Sequence, residues 1–121
     1  MKVLLDENMP HQLRAHLRHH ETATAVYMGW GGWKNGQLLE AVEDAGFDVL
    51  VTGDLSLEYQ QNLTGRRVAI VSLSSHNWRI IKHHVARIAR AVDEANAGTM
   101  TQVECGRFSR RGQKPKGQIP G

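Results

Sequence analysis

The chain has 121 residues, 40% of them apolar and 22% charged, and a net charge of +3. That is the size of one domain able to bury a real core. No apolar run is long enough to span a bilayer, and the single Cys105 excludes an internal disulfide. The start has no basic segment followed by a long apolar one, so no secretory signal is expected, and one cysteine accords with a reducing cytoplasm. The charge is uneven: Arg107, Arg110, Arg111, Lys114 and Lys116 give the end of the chain +5 with no acid, so the +3 overall leaves −2 on residues 1–106. The pattern divides into an α/β domain over 1–106 and a basic tail over 107–121. The tail is rich in Gly, Gln and Pro and reads as a solvated end or as a phosphate-contacting arm.

In chain order, Val3 to Leu5 predicts a buried strand. Pro10 suits the first turn of a helix with Asn8 or Met9 near its cap, carrying Leu13 and Leu17 on one side. Thr22 to Met28 is β-branched and predicts a second strand. GWGGWKNG is a loop. From Gln37 a helix shows Leu38, Leu39, Val42 and Ala45 on one face, and Gly46 ends it. Phe47 to Thr52 is a third strand, Leu55 to Leu63 a short helix, and Arg67 to Leu73 a fourth strand. Asn77 opens a long helix bearing Ile80, Ile81, His84, Val85, Ile88, Ala89 and Val92, and Gly98 closes it. Thr101 to Cys105 is a last strand. Alternating short apolar strands and helices define a three-layer α/β/α domain around a mostly parallel sheet.

In such sheets ligands bind at the carboxyl ends of the strands. The first strand ends on Asp6, Glu7 and Asn8, the third on Thr52, Gly53 and Asp54, and the fourth on Ser72, Ser74 and Ser75, followed by His76 and Asn77. If these strands are neighbours, Asp6 and Asp54 share one crevice. Two adjacent carboxylates repel unless a cation compensates. A hard divalent ion such as Mg²⁺ or Mn²⁺ prefers such oxygen ligands and activates water for attack on a phosphodiester. The plainer explanation is that loops are polar and that Asp6 or Asn8 caps a helix.

Three stretches, DENMPHQL, KNGQLLEAVEDAGFDVLVTGD and YQQNL, resemble the PIN-like proteins of the DUF5615 type, relatives of the PIN-domain toxin ribonucleases and of the Mut7-C domain. The resemblance runs from Met1 to the long helix. It implies a PIN-like fold, acids holding Mg²⁺ or Mn²⁺, and RNA hydrolysis in the cytoplasm. It also implies a toxin role beside a small antitoxin, and a homodimer. Asp6 matches the family's first acid and Asp54 the acid of its T-x-D motif. The middle acid falls where this chain has Asn35 and Gln37. Glu40, one turn on, is the candidate to replace it, with Glu43 a weaker one, and Asn77 stands near the fourth acid. On this reading Asp6, Asp54 and Glu40 are catalytic, and Asp6, Asp54 and Asn35 hold the metal. Lys34, Asn8, Trp33, Gln60 and Asn77 then meet the substrate, with Arg66 and the basic tail holding RNA. Loss of the middle acids leaves the alternative of a catalytically degenerate module that binds RNA or protein.

Other residues have two readings. Trp30 and Trp33 either stack on bases or form a lid on the core. Tyr59, Gln60 and Gln61 either line the pocket or face solvent. His16 and His20 are four apart, a spacing that suits zinc, but no third ligand is placed and solvent exposure is the reading preferred. Arg79, Lys82, Arg87 and Arg90 form either a basic stripe for RNA or a solvated face. Cys105 reads as structural. Phospho-receiver domains provide a different class of comparison, with Asp6, Glu7, Asp54 and Ser72 in mimicking positions. Receivers also need a lysine after the fifth strand, and Val103 to Cys105 supplies none.

Overall fold

The computed structural model describes residues 1–54 and 57–106. Its strands are β1 (Lys2–Leu5), β2 (Glu21–Thr24), β3 (Val49–Thr52), β4 (Ala69–Leu73) and β5 (Met100–Val103), and its α-helices are α1 (Asn35–Asp44), α2 (Leu57–Leu63), α3 (Trp78–Ile81) and α4 (Val85–Asp93). The five strands form one sheet in the order β2-β1-β3-β4-β5. Every pairing is parallel, with Val3 opposite Val49, Val51 opposite Val71, and Val71 opposite Thr101. The sheet is therefore wholly parallel where a mostly parallel one was expected. β1, β3 and β4 are neighbours, so the acids following β1 and β3 do arrive at adjacent strand ends.

The alternation of side chains along a strand divides the core in two. Val3, Leu5, Val49, Val51, Ala69, Val71 and Leu73 face one layer, where Leu13, Leu17, Ile81, Ile88 and Val92 cover them. Leu4, Leu50 and Ile70 face the other, against Leu38, Leu39 and Val42 of α1 and Tyr59 and Leu63 of α2. These strands are buried on both faces, which is why they read as continuous apolar runs.

The elements differ from the expected ones in instructive ways. Residues His11–His16 form a 3-10 helix, not an α-helix. Pro10 itself is the cap, and its carbonyl accepts from Leu13 N–H at 3.1 Å, an i to i+3 bond. The tighter turn still buries Leu13 and Leu17. β2 ends at Thr24, because Ala25 to Gly29 turn back through a Gly29 N–H bond to Val26 O of 3.1 Å. The long helix is interrupted by a 3-10 segment at Lys82–His84. His84 has φ −125°, outside the helical well, and beyond the bend Ile88 and Val92 join Ile81 on the same sheet face. The basic tail lies outside the described residues. No helix among the described residues is long and apolar enough to cross a membrane.

Leu50 is fully buried in the middle of β3, against the α1 and α2 layer. Leu50→Ala should lower stability by about 2–5 kcal/mol, the range for a buried leucine truncated to alanine. Urea unfolding measures this, and a loss well under 1 kcal/mol would contradict the packing described.

Candidate functional site

Asp6 is the first residue past β1, and its backbone N–H still bonds Val51 O of β3 at 2.9 Å. Its side chain is buried. Oδ1 accepts from Glu7 N–H at 2.8 Å and Oδ2 accepts from the Thr52 hydroxyl at 2.7 Å. Burial pushes this carboxyl above its usual 3.8; the bonds from Thr52 and Glu7 N–H pull the other way, and the charges of Glu7 and Asp54 add to the rise. The Thr52 hydroxyl also accepts from Asp54 N–H at 3.1 Å. A single hydroxyl thus anchors Asp6 and bends the chain toward Asp54, which is the physical content of the T-x-D spacing.

Further bonds fix the rest of this edge. Asn8 Oδ1 accepts from Gly53 N–H at 3.4 Å, tying the end of β1 to that of β3. His76 Nε2 donates to Gly53 O at 3.3 Å. A Cβ at position 53 would lie 2.6 Å from that nitrogen and 3.0 Å from Met9 Cε, so only glycine lets the imidazole come this close. Glu7 Oε1 accepts from Gly32 N–H at 2.9 Å and holds the glycine-rich loop over the edge. Within that loop Trp30 and Trp33 stack with centroids 6.2 Å apart, and Trp30 meets Phe47 edge-on at 6.1 Å.

The result is a cleft of about 510 Å³ at the carboxyl ends of β1 and β3. Asp6, Glu7, Asn8 and Asp54 form its acidic and amide side, and Trp33, Lys34, Gly53, Tyr59 and His76 the remainder. Tyr59 is buried, and its hydroxyl takes a hydrogen bond from the Asn35 backbone N–H. Burial, with the charges of Asp6, Asp54 and Glu7, pushes the phenol well above its ordinary range, so it stays a neutral O–H donor.

Of the expected site residues, the cleft brings together Asp6, Asp54, Asn8, Lys34 and Trp33. Four others are placed elsewhere. Glu40 is exposed on α1, because Leu38, Leu39 and Val42 take the inward face, and it does not line the cleft. Asn35 starts α1 with φ +50°, a left-handed value that asparagine tolerates, does not line the cleft, and gives its backbone N–H to the Tyr59 hydroxyl. Gln60 is exposed outside the cleft. The Asn77 side chain caps α3, accepting from Arg79 N–H at 2.9 Å. Glu43 and Arg66 pair at 3.3 Å, and Glu43 also accepts from Arg67 N–H at 2.6 Å, ahead of β4 and thus at the opposite end of the sheet. Tyr59 fulfils the pocket-lining reading. His76 and Glu7 had only their position after a strand to mark them.

The donors facing the cleft are hard oxygens on adjacent strands. Among the described residues no three His, Cys, Asp or Glu side chains converge as a metal cage. The pair Asp6 and Asp54 suits an ion such as Mg²⁺, which takes one or two carboxylates and completes its shell with water and phosphate. His16 is exposed and lies 5.6 Å from the Trp78 ring, whereas His20 pairs with Asp93 at 2.6 Å and is more covered than expected. Cys105 is buried and burial raises its thiol, as for a core residue. Comparison of the chain with family models, with curated proteins and with solved structures gives no match.

The folded state holds the Asp6 proton more tightly than the unfolded chain does, so protonation favours folding. The contribution of Asp6 is greatest below pH 3.8 and falls as pH rises through its raised folded value. Asp6→Asn removes that decline, and its stability relative to the parent should rise from acid to neutral pH in urea unfolding. A relative loss that grows toward neutral pH would refute the burial argument. Thr52→Val removes the hydroxyl shared by Asp6 and Asp54. It should cost about 1–3 kcal/mol through unmet buried polar groups, and Thr52→Ser should recover most of it.

Proposed function

We propose that the chain is a PIN-like ribonuclease that uses a divalent ion to hydrolyse RNA phosphodiesters. The observation that carries this reading is the meeting of Asp6 and Asp54 in one cleft where the strand order changes direction, between β1 and β3. Asp6 and Asp54 would hold Mg²⁺ or Mn²⁺, which supplies polarisation of the phosphodiester and an activated water. Lys34 offers a cation to a phosphate oxygen, and Trp33 offers a ring face to a base. The Tyr59 hydroxyl remains a donor at working pH, and the Thr52 bond holds Asp6 in place. A cytoplasmic toxin paired with a small antitoxin, and a homodimer, belong to the same reading.

The solvent-facing Glu40 favours a second reading, a degenerate PIN-like module that binds RNA or protein without cutting it. A receiver domain fits less well. The Ser72 hydroxyl is buried and is committed to the Asp54 backbone carbonyl, to which it donates at 3.0 Å, and no lysine occupies residues 104–106 after β5.

Purified protein should cleave a mixed-sequence single-stranded RNA with Mn²⁺. Activity should vanish with chelator, fall at least about 100-fold in Asp54→Asn, and persist in Glu40→Gln. RNA binding without cleavage by the parent chain selects the degenerate module. Cleavage that survives Asp54→Asn refutes the site.

A further inference from the structure

The same edge of the sheet carries a second cavity, of about 580 Å³. One loop serves both: His76 lines the acidic cleft, while Ser74 and Ser75 line this cavity with Arg79, Ile80, His83 and His84. Its polar groups are donors. Ser74 Oγ accepts from Cys105 N–H at 2.7 Å and its hydroxyl also bonds the Cys105 thiol, whereas Ser75 Oγ accepts from Asn77 N–H at 3.1 Å and keeps its own proton to give. His84 Nδ1 lies 3.3 Å from Arg87 Nη1, and a guanidinium only donates, so Nδ1 is the acceptor and the neutral ring carries its proton on Nε2. Arg87 is itself fixed by a 2.8 Å bond to Glu104 O.

The Arg79 guanidinium is exposed and forms no ion pair among the described residues. Among the described residues no carboxylate lines the cavity. A concave site furnished with the Ser75 hydroxyl, an imidazole donor and a guanidinium matches a phosphate group, which guanidinium recognises in a bidentate fashion. The volume is that of a small-molecule site, and Ile80 adds an apolar wall for a sugar or base.

We propose that this cavity binds the phosphate of a nucleotide, presented by a free mononucleotide or by the phosphorylated end of an RNA strand. The proposal does not depend on the role given to the acidic cleft. The full chain is titrated calorimetrically with adenosine 5′-monophosphate in the presence of EDTA, which keeps divalent ions out of the comparison. Binding at one site is expected, with none for adenosine, and at least about tenfold weakening in Arg79→Gln and in the Arg79→Ala/His83→Ala pair. Both side chains are exposed, so thermal unfolding of the variants should match the parent.

Parallel titrations with octaadenylate bearing a 5′-phosphate or a 5′-hydroxyl separate the sources. An Arg79-dependent preference for the phosphorylated strand assigns the site to RNA ends; monophosphate binding without that preference assigns it to free nucleotide. Binding that survives both variants belongs to the basic tail and overturns the proposal. So does the absence of any Arg79-dependent binding of monophosphate or phosphorylated strand.

Discussion

One hydrogen bond organises the carboxyl edge of this protein: the Thr52 hydroxyl to the Asp6 carboxylate, at 2.7 Å. A buried carboxylate is costly unless its oxygens are met. Here one oxygen is met by a backbone N–H and the other by a hydroxyl from the neighbouring strand. The same hydroxyl oxygen receives Asp54 N–H, so the conformation of the second acid follows from the satisfaction of the first. Remove that link and the ends of β1 and β3 keep their ladder but lose the reason to present two acids together.

The second constraint is space. The acidic cleft depends on close approach at Gly53, where the His76 imidazole and the Met9 methyl crowd one point. The glycine-rich loop is pinned by Glu7, whose carboxylate therefore serves the architecture as well as the charge of the cleft. Along the same edge charge is segregated: carboxylates gather over β1 and β3, and donors gather beyond β4. A phosphate-bearing polymer lying across both would meet the two kinds of surface in turn.

Much of the fold was legible because its strands are buried on both faces. Val3 to Leu5, Val49 to Val51 and Val68 to Val71 are apolar runs too short for helices and bounded by polar residues, the pattern of buried strands. The meeting of Asp6 and Asp54 followed once those strands were set side by side. The face of α1 was also written in the chain, since Leu38, Leu39 and Val42 inward leave Glu40 outward; position relative to a family motif pointed the other way, and helical phase decided. The 3-10 turn at His11–His16 and the break at His84 were not legible, because apolar spacing of three or four residues does not distinguish helix types. Nor was the approach of His76 to Gly53, which arises from residues distant in sequence and marked by no periodicity.

The strand order has a consequence for synthesis. β1 leaves the ribosome before the other four strands of this sheet, yet it lies inside the sheet, and one of its neighbours, β3, is made only after α1 has followed. Parallel pairing of this kind closes long loops before any reward is collected, so it is slow relative to local helix formation. A nascent chain halted before Val49 has Asp6 but neither Thr52 to satisfy it nor Asp54 to stand beside it. The paired-acid cleft therefore comes into being late and all at once, when β3 docks, and no shorter fragment of the N-terminal half carries it.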